Sequence, residues 1–316
     1  MSTETSGQRP RVGFIGLGAM GAPMAARVAQ GGFPLTVFDA NAERAAALAA
    51  ETGCRRAETL ADLGSASDVI VTMLPSSDVV ATILENGLLD ALKPGALILE
   101  MSSGVPERTR QLADEVAARG GQLIDAPVSG GVARARSGDL AIMVGGDDEA
   151  CARAQPLLQA MGSALLRTGG VGTAHAMKAL NNLVSAGGFL IGIEALLIGS
   201  RYGLDPAVMV DVLNASTGMN NSTQKKFKQF VLSRRFDAGF GLDLMVKDLG
   251  IALGVAEEVG AAAPFSALCR EIWAGARAYL GPGQDHTAMA RFSELMAGGE
   301  LTFEQPKPRP PSDSSS

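Results

Sequence analysis

The sequence of 316 residues predicts an α/β fold with two domains, a doubly wound parallel sheet followed by an all-helical domain. In the first half, short apolar segments typical of buried strands alternate with segments of helical length, which implies parallel strands joined by right-handed crossovers. From residue 174 onward this alternation stops, and the pattern is helical almost to the end of the chain.

The first half contains six predicted strands, which are Arg11–Gly16, Leu35–Asp39, Asp68–Leu74, Ala96–Glu100, Gln122–Asp125 and Ala141–Val144. The helices predicted after the first, second, third and fourth of them are Pro23–Gln30, Ala42–Glu51, Ser77–Leu84 and Pro106–Arg119. We therefore expect a Rossmann-type domain over residues 11–173.

The second half begins with a predicted helix from about Ala174 to Tyr202, which at ~1.5 Å per residue is ~40 Å long and could connect two domains. Glu194 lies in its middle, so insertion into a membrane would bury a charge, and we expect a buried helix. Further helices complete a domain over residues 174–304, namely Pro206–Asn214, Lys225–Leu232, Leu242–Val259, Pro264–Tyr279 and Thr287–Met296. The polar segment 1–10 and the segment 305–316, which is rich in proline and serine, are predicted to be disordered.

Composition excludes several classes of function. The formal charge of -6 and the lack of any Lys/Arg block make nucleic acid an unexpected partner. Three cysteines stand far apart in the chain, and with no signal-peptide pattern at the start they indicate a cytoplasmic protein with reduced thiols. No cluster has the spacing of metal ligands and no Ser-His-Asp system is evident, so we expect neither a metal nor hydrolytic chemistry.

A glycine-rich turn separates the first predicted strand from its helix, with the residues Gly16, Leu17, Gly18, Ala19, Met20 and Gly21. The first glycine permits a tight turn, the second lets a pyrophosphate approach the backbone, and the third lets the helix pack on the strand. The strand before it and the helix after it favour a dinucleotide site over an ordinary turn, with the phosphates on the helix N-terminus.

Asp39 ends the second predicted strand, where a carboxylate can accept hydrogen bonds from both hydroxyls of an adenosine ribose. The same charge repels a 2'-phosphate, so we expect NAD rather than NADP. NADP stays an alternative cofactor because of Arg44, since an arginine near this position can accommodate that phosphate. A turn or capping role for Asp39 also stays open.

Ser129, Gly130 and Gly131 follow a strand and a proline. Consecutive small residues expose backbone N–H groups that can hold a carboxylate, and the serine hydroxyl adds a donor. This pattern suits an anionic substrate, although a Ser-Gly-Gly segment can also be an ordinary turn.

Lys178 and Asn182 lie four residues apart near the start of the long helix and share a face. A lysine in an apolar cleft can exchange a proton with a hydroxyl or carbonyl oxygen, while an amide orients that oxygen. A solvated surface lysine is the alternative. His175 is interpreted as a helix-start residue because neither histidine has a partner acid at a suggestive spacing, and Lys247-Asp248 is interpreted as a solvated face.

Taken together, the chain resembles the β-hydroxyacid dehydrogenase family, which includes 3-hydroxyisobutyrate dehydrogenases and tartronate semialdehyde reductases. The resemblance covers roughly residues 11–300. It is carried by the segments Gly16–Met24, Thr72–Pro75, Asp125–Gly146, Gly169–Asn182 and Lys247–Leu249.

This resemblance implies a Rossmann domain, a long interdomain helix and a helical domain, with the active site in the cleft between the domains. It also implies an NAD(P)-dependent oxidoreductase acting on a small anionic β-hydroxy acid, usually as a dimer or tetramer. By position, Lys178 matches the catalytic lysine, Asn182 the substrate-orienting asparagine and Ser129–Gly131 the loop that binds the substrate carboxylate. The residues that match positions at the cofactor are Leu74, Pro75, Ser103 and Lys247.

Two departures from the family pattern affect substrate choice and cofactor affinity more than reaction type. Ala174 replaces the third glycine before the lysine, and Val79 stands where an asparagine often approaches the cofactor. An imine-reductase-like enzyme and a non-catalytic dinucleotide-binding module are the alternative functions. The direction of the reaction and the identity of the hydroxy acid stay open.

Overall fold

The computed structural model describes residues 9–301. The chain forms two compact units, the first reaching Ala179 and the second starting at Leu180. Of the two segments predicted to be disordered, 305–316 lies outside the described residues, as does 1–10 except for its last two positions.

The first unit is built on a sheet that has nine strands in the described part of the chain. Six of them run parallel in the order β3, β2, β1, β4, β5, β6. Their bounds are β1 Val12–Ile15, β2 Leu35–Phe38, β3 Arg55–Arg56, β4 Val69–Thr72, β5 Leu97–Glu100 and β6 Gln122–Asp125. The predicted doubly wound α/β architecture is thereby confirmed for this part of the chain.

The strands that follow β6 depart from purely parallel pairing. They are β7 Val128–Ser129, β8 Leu140–Gly145 and β9 Gly162–Gly169, and β8 runs antiparallel to both β6 and β7. The connection from β6 to β8 contains β7, which pairs with β8 itself, and one short helix. It is therefore not the full helical crossover that parallel pairing requires.

Both faces of the sheet are buried beneath helices. Consecutive strand residues point to opposite faces, so apolar clusters on the two faces share alternate residues of one strand. Val69 and Val71 of β4 belong to one buried apolar cluster, while Ile70 between them belongs to another. The helices are α1 Gly21–Gln30, α2 Ala42–Thr52, α3 Leu60–Ala66, α4 Ser77–Ile83, α5 Pro106–Ala117, α6 Gly131–Ser137 and α7 Asp148–Met161. A π-helical turn, Leu84–Leu88, and a 3₁₀ turn, Leu89–Ala91, follow α4.

The second unit is helical, as predicted. Its elements are most of α8 Thr173–Tyr202, α9 Pro206–Asn214, α10 Asn221–Lys225, a π-helical turn Phe227–Leu232, α11 Leu242–Glu258, α12 Pro264–Leu280, a 3₁₀ turn His286–Ala288 and α13 Met289–Ala297. Its core centres on Phe189 of α8, whose ring centroid lies 5.4 Å from that of Phe227 and 5.8 Å from that of Trp273.

Among the described residues, one helix, α8, is long and apolar enough to cross a membrane by length and composition alone. Its most apolar window has a mean hydropathy of 1.8, and half of that window is buried within the protein. Such a result is weak evidence for a membrane span, since core helices meet the same criteria. Here Ala186, Phe189, Ile193 and Leu196 of α8 all belong to the core of the second unit.

Candidate active site

The glycine turn after β1 has the three properties predicted for its three glycines. Gly16 has φ +95°, and a Cβ there would overlap the carbonyl oxygen of Met73. A Cβ on Gly21 would overlap the carbonyl oxygen of Gly16, so α1 packs against the turn only with glycine at this position. A Cβ on Gly18 would meet nothing within 4 Å, so the backbone here is open to a ligand.

The start of α1 suits a phosphate group. The residue before the helix, Met20, offers no side-chain hydrogen bond to the first N–H groups. The amide of Ala22 already donates to the Gly18 carbonyl and Pro23 has no N–H, so the Gly21 N–H and the positive end of the helix dipole remain for an anion. Together with the open backbone at Gly18, this feature of the structure fits the pyrophosphate of a dinucleotide.

Asp39 is fixed at the end of β2 by two backbone donors. The amide of Leu17 donates to its Oδ2 at 2.6 Å, and the amide of Asn41 donates to its Oδ1 at 2.7 Å. Each carboxylate oxygen can accept a second hydrogen bond, so a ribose diol can still bind. Asn41, and not Asp39, caps α2, whereas Arg44 lies exposed in the first turn of that helix.

Leu74, Pro75 and Ser103 lie just beyond the carboxyl ends of β4 and β5. The Leu74 amide donates a 2.9 Å hydrogen bond to the Ser102 hydroxyl, which ties the two loops together. Because β1, β4 and β5 are adjacent parallel strands, these loops lie along the edge of the sheet that carries the glycine turn.

Ser129 lies in β7, and Gly130 and Gly131 lead from it into α6. Both glycines have positive φ, +138° and +69°, and both are exposed. Successive N–H groups in such a conformation can point toward one anion.

The start of α8 is held by a carboxylate from a distant strand. Asp125, at the end of β6, is fully buried and accepts hydrogen bonds from the amides of Gly172 at 2.8 Å and His175 at 2.9 Å. These are orphan donors of the first helical turn, so Asp125 satisfies them from outside the helix.

His175 does have a partner acid, contrary to our expectation. Its Nε2 lies 2.8 Å from Glu100 Oε2 and its Nδ1 lies 2.8 Å from the Thr109 hydroxyl, all within the buried interior. Burial alone would lower the pKa of His175, but the charge and hydrogen bond of Glu100 raise it above its usual value. Burial alone would raise the pKa of Glu100, yet His175 and Ser102 hold it below its usual value. Both pKa shifts favour the charged forms, an imidazolium beside a carboxylate.

Lys178 stands one turn after His175 in α8 and is only 8% exposed. The alternative of a solvated surface lysine is excluded by this burial. A buried lysine costs desolvation free energy, which is typical of a residue with a chemical role.

In the second unit, Asn182 of α8 contacts the second turn of α11. Its amide Nδ2 donates a 2.6 Å hydrogen bond to Asp248 Oδ2, and Lys247 Nζ lies 3.7 Å from Asp248 Oδ1. Asp248 is 1% exposed, so the interpretation of Lys247-Asp248 as a solvated face is wrong for the aspartate.

The first unit thus collects several features at the edge formed by the carboxyl ends of its parallel strands. They are the glycine turn, Asp39, the loops after β4 and β5, and the start of α8. The second unit brings Asn182 and Lys247 to the two carboxylate oxygens of Asp248. Three buried acids at the candidate site were missed from sequence, namely Glu100, Asp125 and Asp248. Two of them end predicted strands, and an acid in that position is the signal that could have identified them. In residues 9–301, no group of three or more His, Cys, Asp or Glu side chains could hold a metal ion.

Comparisons with known proteins agree with this geometry. Residues 11–170 match the family model described as the NAD binding domain of 6-phosphogluconate dehydrogenase. Residues 172–293 match the model described as NAD-binding of NADP-dependent 3-hydroxyisobutyrate dehydrogenase.

Curated relatives span nearly the whole chain. The 2-(hydroxymethyl)glutarate dehydrogenase of Eubacterium barkeri is 36% identical over 291 residues, covering 91% of this chain and 96% of that protein. The 3-sulfolactaldehyde reductase of Escherichia coli is 36% identical over 289 residues, with 91% and 97% covered.

Solved structures show the same similarity. The 3-hydroxyisobutyrate dehydrogenase of Mycobacterium tuberculosis, solved with L-serine, superposes with a TM-score of 0.83 at 31% identity, covering 90% of this chain and 98% of that chain. An imine reductase of Myxococcus stipitatus, with 90% and 99% covered, has a TM-score of 0.63 at 20% identity, a similarity of fold alone.

Proposed function

Because this chain belongs to the 3-hydroxyisobutyrate dehydrogenase family of NAD(P)-dependent enzymes, we propose that it interconverts a small β-hydroxy acid and its semialdehyde or oxo acid. The single observation that carries this proposal is the burial of Lys178 one turn after His175. The His175 ring is held against Glu100 and the Ser102 carbonyl at the end of β5. His175 thus holds the first turn of α8 beside the loop whose next residue, Ser103, matches a cofactor position, which supports a role for Lys178 one turn further along the helix.

The residues that would hold the dinucleotide are those of the glycine turn, Gly16–Gly21, with Asp39, Leu74, Pro75, Ser103 and Lys247. The bound dinucleotide supplies the acceptor or donor of the hydride. The backbone N–H groups of Ser129–Gly131 and the Ser129 hydroxyl would bind the substrate carboxylate, which orients the carbon that bears the hydroxyl.

Lys178 moves the proton in this scheme. During oxidation its neutral amine accepts the substrate hydroxyl proton, and during reduction its ammonium returns a proton to the carbonyl oxygen. Asn182 would orient the same oxygen. An amide nitrogen carries two N–H bonds, so Asn182 can donate to Asp248 and also to the substrate.

Replacing Lys178 tests the function directly. We expect Lys178→Ala to lower kcat by about 10²- to 10⁴-fold, because only the proton-transfer group is lost. Dinucleotide binding should persist. The measurement is nicotinamide absorbance with 3-hydroxyisobutyrate, glycerate, serine, threonate and sulfonated analogues, with NAD and with NADP.

Lys225→Ala is the matched control, since Lys225 is an exposed lysine at the end of α10. Turnover of wild-type magnitude in Lys178→Ala would refute the catalytic assignment. Binding of NAD or NADP without turnover of any hydroxy acid would favour a non-catalytic module. Reduction of cyclic imines but not of semialdehydes would favour the imine-reductase alternative.

We further propose that the protein is a cytoplasmic homodimer or homotetramer. Within residues 9–301 all three cysteines are free thiols, which suits a reducing compartment. The side chains of Val184, Ile191 and Ile198 follow each other at intervals of seven residues along α8, and each is more than half exposed. A second copy of the chain could cover this apolar stripe by symmetric pairing.

A further inference from the structure

Lys226 is a cation that the scheme above does not use. It lies between α10 and the π-helical turn Phe227–Leu232, and its Nζ donates a 3.2 Å hydrogen bond to the hydroxyl of Ser185 in α8. Over the described range 9–301, no carboxylate oxygen lies within ion-pair distance of this ammonium. Its one polar contact is with a neutral hydroxyl.

Asp285 is the carboxylate whose charge acts on the pKa of Lys226, but its oxygens are hydrogen-bonded to other groups. Its Oδ2 accepts hydrogen bonds from the amides of Gly239 at 2.7 Å and Phe240 at 3.1 Å. Its Oδ1 accepts hydrogen bonds from the amide of Thr287 at 2.8 Å and from the hydroxyl of the same residue at 2.5 Å. Asp285 therefore moderates the electrostatic potential at Lys226 from a distance without binding it.

Burial lowers the pKa of Lys226 to about 8, and the charge of Asp285 opposes that shift. His286 also faces this lysine, and burial lowers the pKa of that histidine, so it adds no positive charge at neutral pH. At pH 7 Lys226 is hence a partly buried cation without a close counter-ion, an environment that attracts an anionic group.

The position of Ser185 connects this cation to the substrate. Ser185 follows Asn182 by three residues in α8, so the two side chains share a face of the helix and lie ~4.5 Å apart along its axis. Asn182 is the amide proposed to orient the reacting oxygen. The end of a short substrate remote from that oxygen would therefore reach Ser185 and Lys226.

We propose that Ser185 and Lys226 form a second anion subsite, and that the substrate is a β-hydroxy acid with a second acidic group remote from its hydroxyl. This inference rests on the proposed function. A lysine ammonium is a point charge without the planar geometry of arginine. It therefore does not distinguish the planar carboxylate from the tetrahedral sulfonate, and either group fits the subsite. The Ser129–Gly131 segment binds the first carboxylate.

The test compares a diacid with a monoacid. For wild-type protein we expect a higher kcat/KM for 2-(hydroxymethyl)glutarate than for 3-hydroxyisobutyrate, which lacks the second acid. Lys226→Met should lower kcat/KM for the diacid about 10- to 100-fold, mainly by raising KM, because one charge-assisted hydrogen bond is lost. Activity with the monoacid should stay within about twofold.

Three variants serve as comparisons. Lys226→Arg should retain most of the preference for the diacid, and Ser185→Ala should lose a smaller part of it. Lys225→Met, at the neighbouring exposed lysine, should leave both substrates unchanged. An analogue with a sulfonate in place of the distal carboxylate distinguishes the two acidic groups, and the one with the higher kcat/KM identifies the natural class.

An equal loss for both substrates in Lys226→Met, or no loss for either, overturns the subsite and leaves the proposed function intact. If wild-type protein oxidises neither acid with NAD or NADP, the proposed function fails instead. Calorimetric titration of the NAD-loaded protein with glutarate then tests, independently of turnover, whether Ser185 and Lys226 bind an acidic group. Binding that Lys226→Met abolishes supports the subsite, and binding that this variant retains, or its absence in wild type, overturns it.

Discussion

Gly18 and Gly21 differ in what a side chain would meet at each position. We expect Gly18→Ala to fold with an unchanged melting temperature but to raise KM for NAD, because its Cβ would project into the open space that we propose for the pyrophosphate. We expect Gly21→Ala to lower the melting temperature, because its Cβ would overlap the Gly16 carbonyl. Thermal melts and NAD titrations of both variants check this. The opposite assignment of the two effects would contradict it.

Cofactor preference is also decided at the residue scale, by Asp39. The amides of Leu17 and Asn41 hold its carboxylate in place, so it cannot turn away from a 2'-phosphate. We expect wild-type protein to have the higher kcat/KM with NAD, and Asp39→Ser to reduce the ratio of NAD to NADP by about 10-fold or more. Glu43→Ser, at an exposed acid in the first turn of α2, should not change the ratio. A wild-type preference for NADP would refute the prediction.

Residues whose role depends on local backbone could be predicted from sequence, and residues whose role depends on distant partners could not. The conformation of the glycine turn and the burial of Lys178 belong to the first kind, since the spacing of glycines and the apolar character of a helix are visible in one segment. Glu100 and Asp125 belong to the second, because their partner His175 lies 75 and 50 residues away in the sequence and only the sheet brings them together.

At the scale of elements, the buried pair of Glu100 and His175 fixes α8 to β5 and should make stability depend on pH. A histidine with a raised folded-state pKa contributes stability fully below its unfolded value of about 6.5 and loses it as pH rises through the raised value. A glutamate with a lowered pKa contributes stability above its unfolded value of about 4.3 and loses it as pH falls. The pair therefore stabilises most between these limits.

We expect Glu100→Gln to lower the melting temperature by roughly 5–10 °C at pH 6, since breaking a buried ion pair leaves the other charge without compensation. The difference from wild type should shrink as pH rises through the raised pKa of His175. Thermal melts across this range provide the measurement, with Glu107→Gln at an exposed position of α5 as the control. A difference that grows toward pH 9 would exclude an ionised pair.

Strong apolar segments were predicted with ends accurate to within about two residues, as for β5, α2 and α11. The predicted elements include neither α7 nor β9. The buried residues Ala150, Ala154, Leu157 and Met161 of α7 do recur at helical spacing, so this helix was detectable despite Pro156. β9 is largely exposed and carries no apolar alternation that would identify a strand. The antiparallel direction of β8 was also missed, because pairing direction depends on the connection and not on the strand itself.

At the scale of the whole molecule, the apolar stripe on α8 leads to a prediction about assembly. We expect light scattering to show a dimer or tetramer, and Ile191→Glu combined with Ile198→Glu to produce a smaller species or an insoluble protein, because charges would face the apolar stripe of the second copy. Leu166→Glu, at an exposed apolar residue of β9, is the matched control. A monomeric wild-type protein would rule out this assembly.

The hydrogen bonds that Asp125 accepts from Gly172 and His175 also affect the order in which the nascent chain folds. A nascent chain cannot fix the first turn of α8 until β6 has joined its neighbours, because the carboxylate that anchors that turn lies 47 and 50 residues upstream. Contacts that span so much chain form slowly. We therefore expect the first turns of α8, which carry His175 and Lys178, to become ordered only after the sheet of the first unit has formed.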